Sequence, residues 1–155
     1  MSNICVMVIG NIDKNDEEDI RLSVKQIVNL YGYGVFFELD FNCPIIDFYQ
    51  NSLIISFSDD YRFNNCERLI LPDNCMFNGI YNDNSLLDRM NMLMDVARFF
   101  QKYDVTTDIF IGDCGCKINE YYLLECKENE LSSEISDFLN NNVCYNQDVH
   151  VKIVH

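Results

Sequence analysis

The sequence predicts a single α+β domain over residues 1–155, with a mixed or mostly antiparallel sheet and about three helices in the order β-α-β-β-α-β-β-α-β. Three observations carry that expectation. The 155 residues are 48% apolar and 13% aromatic, enough to build one core. Short apolar runs of strand length are interspersed with stretches of helical periodicity. The strand-like runs tend to come in pairs between helices, rather than alternating singly with them as parallel units do. No Gly/Ser/Pro-rich linker divides the chain, and a loose repetition of helix then two strands does not match residue for residue.

Residues 3–9 read as a buried first strand, the run Ile4, Cys5, Val6, Met7, Val8 and Ile9 ending at Gly10. A polar segment leads to Ile20, Val24, Ile27, Val28 and Tyr31 at helical spacing, with Gly32 as the residue that closes the helix. Asp16, Glu17, Glu18 and Asp19 fall in its first turns, where negative charge complements the helix dipole. Residues 35–39 and 52–57 read as strands, with a break at Pro44 between them. Residues 58–83 form the longest irregular stretch, relieved by the short apolar run Leu69, Ile70 and Leu71.

Ser85 and Asp88 then resemble a capping box. Leu86, Met90, Leu93, Met94, Ala97 and Phe100 form an apolar stripe that predicts a helix over 86–103. Residues 106–111 read as a strand ended by Gly112, and the strand leading to Cys126 follows it as the second arm of a hairpin across 113–120. A last helix is expected over 129–140, with Leu131, Ile135, Phe138 and Leu139 facing inward. Val149, Val151 and Ile153 alternate with polar residues, so the chain closes on a half-buried strand. The helices are expected to pack on one face of the sheet.

Charge bounds the function. Lys and Arg total 11 against 25 Asp and Glu, a formal net charge of −14. Such a field repels nucleic acid and anionic membrane and attracts basic protein surfaces. It also exceeds the magnitude of about 2–8 that keeps a small domain soluble. The apolar start has no basic residues before it and is too short to span a bilayer, so a soluble, cytoplasmic protein is expected.

Chemistry-bearing motifs are missing. The two histidines are His150 and the terminal His155. His150 alternates with Val149 and Val151, which places it toward solvent and disfavours catalysis through it. Of eight cysteines, Cys114 and Cys116 form the one close pair. Zinc would need two further ligands, from Cys66, Cys75 or Cys126, and the C-x-x-C spacing is absent; a turn is the preferred reading. Asp113 stands at a strand end without a matched second carboxylate. No phosphate-binding glycine loop, H-E-x-x-H or G-x-S-x-G occurs. The chain therefore reads as a binding protein, not an enzyme, with no cofactor and no metal expected.

The acidic groups remain. Each carboxylate alone is read most simply as part of a solvated face. Together Asp16, Glu17, Glu18, Asp19, Asp59, Asp60, Asp83 and Glu120 suit a basic protein partner. Aromatic residues accompany them, notably Tyr31, Tyr33, Tyr61, Tyr121 and Tyr122, and Tyr61 and Tyr121 are the expected contact anchors.

In its small size, its acidity, its α+β pattern and the stretch from Phe99 and Phe100 to Ile109, Phe110, Ile111, Gly112 and Asp113, the chain resembles bacterial immunity proteins of polymorphic or contact-dependent toxin systems. That resemblance implies an antitoxin function: neutralising a cognate toxin domain, with a basic nuclease the chemistry that best matches an acidic inhibitor. Three other readings stand beside it, the last an enzyme working through its carboxylates or Cys114 and Cys116. An acidic secretion chaperone for a bacterial effector would expose apolar patches to its cargo, and that family begins with a helix where this chain begins with a strand. A nucleic-acid mimic would need a regular row of carboxylates, whereas these cluster in short groups.

Overall fold

The computed structural model describes residues 3–37, 44–49, 51–58, 84–113, 117–141 and 148–154. The run from Asn3 forms β1 (Asn3–Gly10), with its odd side chains Cys5, Met7 and Ile9 and its even side chains Val6 and Val8 all buried. A strand apolar on both sides needs cover on both faces, and β1 accordingly lies in the interior of the sheet. The sheet has six strands in the order β2-β3-β1-β4-β6-β5, with β2 (Gly34–Phe36), β3 (Leu53–Ser58), β4 (Thr106–Asp113), β5 (Tyr122–Cys126) and β6 (Val149–Ile153). All neighbours are antiparallel except β5 and β6, which are parallel. The α+β class and the mostly antiparallel sheet agree with the sequence.

Three helices cover one face: α1 (Glu17–Leu30), α3 (Asn84–Phe99) and α4 (Leu131–Asn141). In α1, Ile20, Val24 and Val28 recur every fourth residue and are buried. The helix stops as expected: Gly32 takes φ +80°, and the Tyr33 N–H returns to the Val28 carbonyl at 3.3 Å. α3 lies between α1 and α4, so its buried face is wider than a single stripe. Met92 and Val96 join Met90, Leu93 and Ala97 in the core, and a 3-10 turn at Phe100–Lys102 seats Phe100 beneath them. Buried side chains of this size contribute about 1.5–3 kcal/mol each.

The opposite face is covered as well. A short helix, α2 (Pro44–Phe48), and a 3-10 turn, Ile118–Glu120, close over Val6, Val8 and Phe110. Pro44, read from sequence as a break, is the first residue of α2, where its missing N–H costs nothing.

The expected hairpin is overturned. β4 and β5 do not form a hairpin; β6 lies between them. Burial explains the placement. β6 buries Val149, Val151 and Ile153 and needs a neighbour on each side, whereas β5 exposes Tyr122, Leu123 and Glu125 and fits an edge. The 11-residue helix α4 supplies the crossover that a parallel β5–β6 pair requires. The long irregular segment, with Leu69, Ile70 and Leu71, lies from residue 59 onward outside the described residues.

Candidate functional site

Strand register gathers acidic residues from distant parts of the chain. Gly10 at the end of β1 pairs with Thr106 at the start of β4; Thr107 pairs with Ile153 near the end of β6; and Ile153 pairs with Cys126 at the end of β5. The segments after β1, before β4 and after β5 therefore share one end of the sheet. That end carries Asp13, Asp16, Glu17, Glu18, Asp19, Asp104, Glu128 and Glu130, against Lys14, Arg21, Arg98, Lys102 and Lys127.

These carboxylates are largely open to solvent. Asp13, Glu18, Asp19, Asp104 and Glu130 are exposed, and Asp16 and Glu17 are half-buried. Asp16 is the N-cap of α1, yet its side chain bonds no helix N–H. Asp13 instead accepts the Asn15 N–H at 3.0 Å. Glu17 pairs with Arg21 at 2.9 Å one turn along, and Arg98 reaches Glu128 at 3.9 Å. The Glu17–Arg21 pair is an exposed contact worth well under about 1 kcal/mol. Acids in a helix's first turn also complement its dipole, and α1 carries Glu17, Glu18 and Asp19 there. The rim holds more negative charge than that dipole uses.

The other expected partner-binding residues divide. Asp16, Glu17, Glu18 and Asp19 lie on this rim. Glu120 is exposed at the opposite end of the sheet, where its carboxylate accepts the Lys117 N–H at 3.4 Å. Tyr121 is not an exposed anchor: it is 6% exposed and packs edge-on against Phe110, and its neighbour Tyr122, 47% exposed, is the ring that reaches solvent. Asp59, Asp60, Tyr61 and Asp83 lie outside the described residues, as do Cys114 and Cys116. Tyr31 and Tyr33 serve the α1–α3 contact. The Tyr31 hydroxyl donates to Asp95, which also binds Arg98 at 3.0 Å, and Arg89 donates to the Tyr33 hydroxyl at 3.0 Å. The Asp95 hydrogen bond, with burial behind it, pushes the Tyr31 hydroxyl up to about 12.

A polar cluster that sequence reasoning missed sits on the α2 face. His150 does not point into solvent. Its ring stacks on Phe110 at 4.2 Å between centroids, and its Nε2 meets the Asp108 carboxylate at 2.6 Å. Both side chains are nearly covered, at 13% and 10% exposure. Tyr49, following α2, meets the Phe110 ring edge-on at 5.8 Å between centroids, and burial, then the Asp108 charge, pushes its hydroxyl up to about 12. The available signal was phase: Asp108 alternates with Thr107 and Ile109 and shares a face with Phe110. The pair clamps β4 to β6.

Cys5 and Cys126 are buried, and burial, helped by the charges of Glu134, Glu130 and Glu128, pushes the Cys126 thiol up to about 11. Among the described residues no group of three His, Cys, Asp or Glu side chains is placed to hold a metal ion, and no helix is long and apolar enough to cross a membrane. No protein-family model, curated protein or solved structure matches the chain.

Proposed function

We propose that this protein is an acidic inhibitor of the immunity type, which binds a basic toxin domain and occludes its active or substrate-binding surface. The observation that carries the reading is the acidic rim, where eight carboxylates from three segments of the chain meet five basic side chains at one end of the sheet. A nuclease must present Lys and Arg to hold phosphates. Carboxylates set where those phosphates would lie compete for the same cations, and the −14 field accelerates encounter. A protein acting on such a toxin from within the producing cell works in the cytoplasm and needs no cofactor.

Tagged protein incubated with lysate of its source cells, and washed at rising salt, tests the reading. One basic protein held through the high-salt wash is expected, because packed contacts outlast the screened field. Retention of an acidic protein, or of none, contradicts it.

A further inference from the structure

We infer that the outer edge of β5 takes up an extended segment of the basic partner as an added strand, so that the partner's chain continues the sheet. The inference rests on the basic-partner reading and assigns it a surface.

The backbone geometry is specific. The Tyr122 N–H bonds the Asp148 carbonyl at 2.7 Å, and the Val154 N–H bonds the Cys126 carbonyl at 2.9 Å. In a parallel ladder those two bonds fix the phase: Tyr122, Leu124 and Cys126 turn their backbone groups toward β6, and Leu123 and Glu125 turn theirs outward. Among the described residues β5 stands at the end of the strand order, with no strand beyond it, so the Leu123 and Glu125 amides and carbonyls form a template there. Leu123, 51% exposed, and Tyr122, 47% exposed, flank the template with apolar surface. An extended peptide that pairs there gains main-chain hydrogen bonds and places alternate side chains against those two residues.

Charge selects the occupant. Glu125 lies on the edge itself, Glu120 precedes it, and Glu128 and Glu130 follow at the acidic rim, with Lys117, Lys127 and Lys152 the nearby cations. A second copy of this chain would bring another net charge of −14 to the same acidic edge, and that repulsion opposes self-pairing. The matching segment carries apolar or β-branched residues at its centre and Lys or Arg at its ends. The opposite edge, β2, offers only three residues.

The test uses the full-length, isotope-labelled protein and a defined probe, a short peptide alternating valine and lysine, at low salt. Its control is the same peptide with alternate backbone nitrogens methylated, which keeps the charge and removes the edge hydrogen bonds. Expected are shifts and slowed hydrogen exchange at the Leu123 and Glu125 amides, and a loss of about tenfold or more in affinity for the methylated peptide. Leu123→Pro, which deletes an N–H that faces away from β6, is expected to abolish the shifts while the β5–β6 ladder persists. Equal binding of both peptides, or shifts confined to residues 16–19 and 128–130, overturns the edge-strand inference and leaves the acidic-rim reading standing. No binding of either peptide overturns both.

Discussion

The Asp108 carboxylate and the His150 Nε2 lie 2.6 Å apart, a diagonal pair that ties β4 to β6 beneath α2. Each partner is nearly covered, so removing one strands the other away from water, at a cost of order 2–4 kcal/mol. Asp108→Ala and His150→Ala are each expected to destabilise the fold by about 2 kcal/mol or more in urea titrations. In the double variant Asp108→Leu/His150→Phe, an apolar pair of similar volume replaces the hydrogen-bonded one and the ring contact with Phe110 is kept. Its cost is expected to fall below the sum of the single changes by about 1–2 kcal/mol; strict additivity would show that the two groups do not act as a pair.

Thr107 makes the reverse case. It is 1% exposed and its hydroxyl has no hydrogen-bond partner among the described residues. Thr107→Val removes a buried hydroxyl without a change of shape and is expected to raise stability by about 1 kcal/mol, read from the urea midpoint. A loss of stability would show that the hydroxyl is satisfied.

Two glycines with left-handed φ separate backbone strain from crowding. At Gly112, φ is +142°, and a Cβ would stand 2.0 Å from Asp148 Oδ1. At Gly32, φ is +80° and among the described residues nothing lies within 4 Å of a built Cβ. Gly32→Ala is expected to cost about 1–2 kcal/mol, the left-handed penalty alone. Gly112→Ala must also displace the buried Asp148 side chain, and its cost is expected to exceed that of Gly32→Ala by about 1 kcal/mol or more. Equal costs would place Asp148 elsewhere.

Tyr31 and Tyr49, both held protonated up to about 12, set an alkaline limit. A folded-state value raised above the ordinary 10.0 means that folding favours the protonated form. The associated stability is complete below pH 10 and is lost as pH climbs through 10 to 12. Ultraviolet titration should show Tyr31 and Tyr49 ionising late, with one late titration lost in Tyr31→Phe. Titration of all tyrosines together near 10, in protein that circular dichroism shows still folded, would contradict the Asp95 hydrogen bond and the burial of Tyr49.

Local spacing made much of this fold legible. Ile20, Val24 and Val28 specify α1 and its buried face, and Gly32 its end, because those signals lie within a few residues of one another. The order of β4, β6 and β5 was not legible, since it is decided by which strand buries both neighbours, a comparison across distant segments. Alternation placed His150 opposite Val149 and Val151, but the period of two says which face a residue takes and not whether that face meets water. Tyr121 and Tyr122 were ambiguous for the same reason. The acidic residues of the rim were visible as types; their meeting at one end follows only from the register of Gly10 with Thr106 and of Ile153 with Cys126.

Neutralising the rim should spare the fold. Glu18 and Asp19 are exposed, and Glu17 contributes only an exposed pair with Arg21. Glu17→Gln/Glu18→Gln/Asp19→Asn is expected to cost less than about 2 kcal/mol, mainly through the helix dipole, with an unchanged circular dichroism spectrum. A larger loss would mean that these acids serve structure first.

The most direct measurement is growth of cells expressing the captured basic protein alone, with the wild-type chain, or with the folded variant Glu17→Lys/Glu18→Lys/Asp19→Lys. Arrest by the captured protein, rescue by wild type and loss of rescue with the charge-reversed chain is the expected result. A captured protein that is harmless alone, or rescue that survives the reversal unchanged, would contradict an acidic inhibitor acting through this rim.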